Sequence, residues 1–342
     1  MKRWIQAFRI SCTYIGTMVG AGFASGQEIL QFFTQYGRIA PATIALAGGL
    51  FLWIGTKQML LAHRTGCSTY EELNCLLFGD RFGRLISHFM TLVLFGTTAV
   101  MLAGAGSVFS EHLHLSFQLG LMLTAALAYI VLSRGMEGIL SVNSVIVPFM
   151  LLFVAIIVIT SILSPEAGSG FRFSAPASPW KGWFSPFLYA ALNLCLAQAV
   201  LVPIGYAAED GTVLRRAGLL GGAGMGVLLF AAHFALSTHM PGIAQFEIPM
   251  AFLIHKLGPV LQNGFLIVIY SEIFTTLIAD AFGVSHHIRQ RVPRLGPYIL
   301  PLVLAGGILI SQIGFSRLVS TLYPLFGFVS LGWLFMMIRQ RL

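Results

Sequence analysis

Ile15-Gly16-Thr17-Met18-Val19-Gly20-Ala21-Gly22-Phe23-Ala24-Ser25-Gly26-Gln27-Glu28 lies inside the first long apolar segment, between a basic start (Lys2, Arg3, Arg9) and Phe32-Phe33. Four glycines, at 16, 20, 22 and 26, fall within eleven residues. Each costs a helix about 1 kcal/mol relative to alanine, so the segment is poorly built for one continuous helix. Two readings compete. Gly16 and Gly20 form a small-xxx-small pair, which lets two membrane helices approach closely. Alternatively the helix is broken at mid-membrane, where irregular backbone is tolerated only if protein or water satisfies it. Glu28 favours the break, because a carboxylate at that depth faces a bundle interior or a water path.

Working outward, composition sets the class. Only 9% of the 342 residues are charged and mean hydropathy is +0.84, whereas a soluble domain carries about 25% charged residues. Apolar runs of membrane-spanning length recur along the whole chain, which makes it one integral membrane domain over residues 1–342. The net charge of +8 is explained by loop topology rather than by a nucleic-acid partner. Cys12, Cys67, Cys75 and Cys195 show neither disulfide nor metal spacing and read as free thiols. No small-residue cleavage site follows the first apolar run, so it is expected to stay as an anchor.

Ten spans are expected, at about 8–32, 39–62, 85–110, 117–133, 138–163, 184–207, 214–239, 259–283, 296–313 and 317–338. Between the second and third, Ser68-Thr69-Tyr70-Glu71 resembles a capping box for a short surface helix. With both termini cytoplasmic, fifteen Lys and Arg fall inside. Five fall outside: Arg38, Arg172, Lys181, Lys256 and Arg317. The positive-inside rule supports that layout, and the chain is expected in the cytoplasmic (inner) membrane. A Pro, Ser and Gly-rich connector at 164–182 separates two halves, about 8–163 and 184–338. Five spans per half gives the arithmetic of an inverted-topology repeat. The sixth span is then expected to be interrupted like the first, within about 192–199. Pro186, Asn193, Gln198, Pro203 and Gly205 all disturb its apolar character.

The stretch Gly16-Thr17-Met18-Val19-Gly20-Ala21-Gly22 resembles the unwound first helix of the amino acid–polyamine–organocation superfamily, with its LeuT-type fold. Val19 to Glu28, Leu188-Tyr189-Ala190-Ala191-Leu192-Asn193-Leu194 and Tyr270-Ser271-Glu272-Ile273-Phe274-Thr275-Thr276 are similar to its YkvI-like branch of amino acid permeases. The resemblance implies an all-α bundle of ten transmembrane helices, a 5+5 inverted repeat with broken helices one and six, and substrate held between those two. It also implies a sodium ion between the carbonyls of Gly16 and Val19 and the hydroxyls of Thr275 and Thr276. Thr17 stands where well-known sodium symporters carry an Asn that helps hold another sodium.

The residues add their own arguments. Glu272, Thr275, Thr276 and Asp280 are spaced i, i+3, i+4, i+8 and share one helix face. Their oxygens suit a hard cation, although threonines also bond carbonyls of their own helix and Asp280 also suits the cytoplasmic water. Glu28 and Glu272 are proton-relay candidates. Thr17, Met18, Gly20, Ala21, Gly22, Asn193 and Gln198 form the substrate-binding set, since exposed amides at a half-helix suit a carboxylate. Asn193 and Gln198 also suit a role as interhelical glue. Gly221 to Gly226 lacks the Lys-Ser/Thr of a phosphate loop, and no catalytic constellation converges, so the chain does not read as an enzyme. The reading is a cation-coupled secondary transporter, with sodium or a proton as coupling ion and no other cofactor. Its partners are a small solute, an amino acid or similar zwitterion, and membrane lipid. The alternative is a non-transporting membrane sensor that binds a small molecule with the same fold.

Overall fold

The computed structural model describes residues 2–111, 113–163, 179–245, 249–255, 258–312, 326 and 329–340, and every regular element among them is helical. The first apolar segment is not one helix. Helix α1 (Lys2–Met18) closes with Val19 N donating to Ile15 O at 2.9 Å, and α2 (Ala21–Ser25) opens with Ala24 N donating to Gly20 O at 3.0 Å. Val19 and Gly20 lie outside both helices, within the interval the glycines predict. Gly20 is extended (φ −120°, ψ −171°), whereas Gly26 is left-handed (φ 82°) and redirects the chain into α3 (Gln27–Phe32).

The second span runs over Thr34–Thr65. It holds α4 (Ala40–Leu50), a π-helical turn at Phe51–Gly55, and α5 (Thr56–Thr65). The buried Tyr14 hydroxyl donates to Phe51 O at 2.6 Å, which takes that carbonyl at the widened turn. The expected surface helix is α6 (Tyr70–Phe78). Thr69 Oγ1 accepts from Glu72 N at 3.3 Å, and Glu72 Oε2 reaches back to Ser68 N at 2.6 Å.

The remaining rods are α7 (Asp80–Glu111), α8 (Phe117–Leu132), α9 (Met136–Leu163), α10 (Pro179–Ala207), α11 (Gly211–Ser237), α12 (Pro249–His255), α13 (Pro259–Arg291), α14 (Gly296–Ser311) and α15 (Val329–Arg339). Most of the connector at 164–182, and the start of the tenth expected span, lie outside the described residues. Among the described residues, seven helices are long and apolar enough to cross a membrane, and α8 and α15 are shorter apolar helices. Large side chains such as Leu92, Val145, Ile159 and Leu309 face outward, Leu309 with 74% of its surface exposed. Such a coat is a liability in water and is the ordinary lipid face of a multi-pass membrane protein.

One expectation fails. The sixth span, α10, is a continuous helix through 192–199. Asn193 Nδ2 donates to Tyr189 O one turn earlier at 2.9 Å, and Gln198 Nε2 donates to Met90 Sδ on α7, also at 2.9 Å. Its polar side chains are thus served without unwinding the backbone. Pro186 and Pro203 sit inside the helix, as membrane helices allow when neighbours satisfy the freed groups.

Candidate functional site

The break in the first span sets the site. A helix end leaves its last carbonyls and its successor's first amides without intrahelical partners. Here the carbonyls from Gly16 to Val19 end α1, and α2 presents amides from its own start. Helix α1 packs on α9, α10, α11 and α13, while α2 packs on α12 and α13. The orphaned groups therefore face the middle of the bundle.

Helix α13 meets the break directly. Thr276 Oγ1 donates to Val19 O at 3.3 Å. A Cβ on Gly20 would stand 3.2 Å from that hydroxyl, so this glycine serves close approach and not a left-handed turn. Thr275 is buried and donates to Glu272 O at 3.1 Å, which leaves its oxygen lone pairs available. A hard cation of calcium's size holds oxygens at about 2.3–2.6 Å, so ligands at right angles lie about 3.3–3.7 Å apart. The Val19–Thr276 pair meets that spacing, and sodium has a similar radius. Backbone carbonyls and hydroxyls are oxygen donors of the kind such an ion takes.

The two glutamates converge beside this point. Glu272 is 2% exposed, and its Oε2 has no hydrogen-bond partner among the described residues. Glu28 lies within electrostatic reach of it and beside Tyr189 of α10. The Glu28 side chain lies flat on Gly22, where a Cβ would stand 2.2 Å from Oε1 and 2.6 Å from Cδ. The Tyr189 ring is in turn boxed by Phe32, Phe33 and Phe51, with centroids 5.2, 5.2 and 5.9 Å away.

The substrate set divides. Gly20, Ala21 and Gly22 lie at the break or open α2, beside the buried Met18 at the end of α1. Thr17 Oγ1 donates to Thr13 O at 2.7 Å, within its own helix. Tyr189 and Asn193 share one face of α10, whereas Gln198 joins Met90 and Cys195 in a separate buried group. Asp280 is buried (5% exposed) and lies beside Thr97 of α7.

Sequence reasoning missed two residues. Tyr189 went unassigned although it lies in a quoted motif. Asn143 on α9 is fully buried, its Oδ1 lacks a hydrogen-bond partner, and it is aimed at Gly16. An amide inside an apolar run is the signal that could have found it. A groove of about 620 Å³ lies elsewhere, between α4, α9 and α11, lined by groups such as Ile44, Gly48, Ile162 and Phe230. It is apolar and has no part in the break.

No protein-family model matches the chain. It is 38% identical over 329 residues to the uncharacterized membrane protein YkvI of Bacillus subtilis (strain 168), covering 96% of this chain and 94% of the relative. The chain belongs to the YkvI family. A second relative, the uncharacterized protein YyaD of the same organism, is 25% identical over 330 residues, covering 96% and 95%. Among solved structures, the YkvI-like fold is similar to a Na+-coupled sialic acid symporter in a substrate-bound outward-open state (TM-score 0.70, 13% identity, 96% of this chain and 78% of that one). It is also similar to MhsT in complex with L-phenylalanine (0.65, 16%, 92% and 79%) and to Mhp1, a nucleobase-cation-symport-1 family transporter (0.63, 13%, 95% and 77%). The likeness shows the fold: this member of the YkvI family has a LeuT-like fold.

Proposed function

We propose that this chain is a cation-coupled secondary transporter for a small solute, an amino acid or similar zwitterion, working by alternating access in the cytoplasmic membrane. The ten-span layout, as two inverted halves of five with both termini inside, is part of that reading. It rests on the charge asymmetry of the loops. One observation carries the functional claim: the first span breaks at Val19–Gly20, and a hydroxyl from α13 meets the freed carbonyl. A broken helix at membrane depth whose backbone faces protein is how such transporters build ion and substrate sites.

In this reading Gly16 O, Val19 O, Thr275 Oγ1 and Thr276 Oγ1 are the ion ligands, and sodium when bound supplies a positive charge that ties α1 to α13. The α2 amides at Ala21 and Gly22 receive the solute's carboxylate, while Thr17, Met18 and Gly20 line the same point. Asn193, on the Tyr189 face of α10, completes the proposed substrate set, while Gln198, held by Met90 and Cys195, stands apart from it. Solute and ion then shift the balance of bundle arrangements through differential affinity. Glu28 and Glu272 are the rival coupling groups: a proton on either leaves the threonines incidental. A sensor on this fold is less favoured, because the structural neighbours are transporters, and so is an enzyme. The test is a thermal-shift screen of purified protein against amino acids with and without sodium, followed by uptake into proteoliposomes. Solutes that raise the melting temperature by mass action are expected to be accumulated. Binding without transport would revive the sensor.

A further inference from the structure

The ion site proposed above draws on two helices, and a third helix reaches its Gly16. Asn143 on α9 is fully buried, and its carboxamide is fixed by Nδ2 donating to Ile139 O at 2.9 Å. That bond settles which end of the amide faces α1, and it leaves both lone pairs of Oδ1 free. Among the described residues Oδ1 has no hydrogen-bond partner, a costly state for a buried carbonyl oxygen. It is directed at Gly16: a Cβ there would fall 1.8 Å from Oδ1, and 3.2 Å from Val147 Cγ2. Gly16 thus admits an amide oxygen at the carbonyl-rich end of α1, within the last turn before the break. Pure helix packing accounts for the glycine but leaves the oxygen unserved. Helix α9 also packs on both α1 and α13, so a ligand from it closes the remaining side.

We propose that Asn143 Oδ1 is a fifth oxygen of the cation site, alongside Gly16 O, Val19 O, Thr275 Oγ1 and Thr276 Oγ1. The inference rests on the ion-site reading above and deepens it. The ligand set is then five neutral oxygens from three helices, suited to a small hard monovalent cation, and occupancy ties α9 to α1 and α13 together.

The test uses purified full-length protein and sodium chloride titrated against choline chloride at constant ionic strength, with melting temperature as the readout. The wild type is expected to be stabilised by sodium, and Thr276→Val to shift the midpoint to higher sodium. Asn143→Leu, close in volume, is expected to raise the midpoint about tenfold or more. Asn143→Asp, which offers a carboxylate to the cation, is expected to lower it. Should Asn143→Leu fail to fold, Asn143→Ser carries the same expectation, because its oxygen stops short of Gly16. Asn143 variants that lower the melting temperature equally at every sodium concentration, midpoint unchanged, overturn the assignment while the two-helix site stands. A wild type indifferent to sodium overturns both.

Discussion

The first and sixth spans both carry helix-disturbing residues, yet one breaks and the other does not. In the first, the disturbance is glycine in the backbone itself. Val19 N and Gly20 O keep bonds within the segment, but the Val19 carbonyl takes its partner from α13. In the sixth, Pro186, Pro203 and Gly205 lie outside 192–199, and within that interval the disturbance sits in side chains. Asn193 turns back onto Tyr189 O, and Gln198 finds a sulfur on α7. Polar residues in a membrane helix mark a break only when the backbone, rather than the side chain, is left unserved.

The largest expected effect breaks that contrast at its strongest point. Gly22→Leu drives a side chain into Glu28, whose Oε1 and Cδ lie 2.2 and 2.6 Å from the Cβ position. Uptake in proteoliposomes should be abolished, while the amount in the membrane fraction stays near wild type because leucine is more apolar. Normal uptake would reduce the glycine cluster to plain packing. Next, Thr276→Val keeps the side-chain shape but removes the hydroxyl at the break. Sodium affinity should weaken by about 1–3 kcal/mol, and solute affinity should fall mainly at limiting sodium, since coupling is reciprocal. Solute binding that ignores sodium but follows pH would promote Glu28 and Glu272 instead.

A smaller effect concerns what braces α13. Arg291 Nε donates to Glu71 Oε2 at 3.0 Å, its Nη2 contacts the other carboxylate oxygen, and His287 Nδ1 lies 3.4 Å from Glu71 Oε2. Burial works to raise the Glu71 pKa, but the Arg291 hydrogen bond and the charges of His287, Arg291 and His88 outweigh it and hold the carboxyl below its usual value. A depressed carboxylate stabilises the fold above its unfolded pKa, and that contribution is lost as pH falls through the folded value. Acid should therefore loosen α6 from the end of α13. Arg291→Ala should cost about 1 kcal/mol or less and flatten that acid limb of melting temperature against pH. An unchanged limb would show that the latch carries no such linkage. The smallest effect belongs to the intact span: Asn193→Leu removes a bond internal to α10 and should cost less than about 1 kcal/mol, with the sodium midpoint unmoved. A shifted midpoint would place α10 in the ion site and erase the contrast.

The break was legible because glycine acts locally: four in eleven residues disfavour a helix whatever surrounds them. Helix α6 was legible for the same reason, since its cap is written in consecutive residues. The continuity of α10 was not, because it depends on Met90, which lies 108 positions from Gln198 in the chain. Asn143 escaped notice likewise. Its meaning comes from Gly16, on a different helix, and a lone amide in an apolar run looks the same whether it packs or binds.

Hydrogen exchange of the purified protein, with and without sodium, tests the central claim most directly, because it reads the backbone at the break. Amides at 20–23 should exchange quickly without sodium and slow markedly in its presence, while amides at 192–199 stay protected in both conditions. Exchange at 20–23 that is already slow, or that does not respond to sodium, would contradict an ion site at the break.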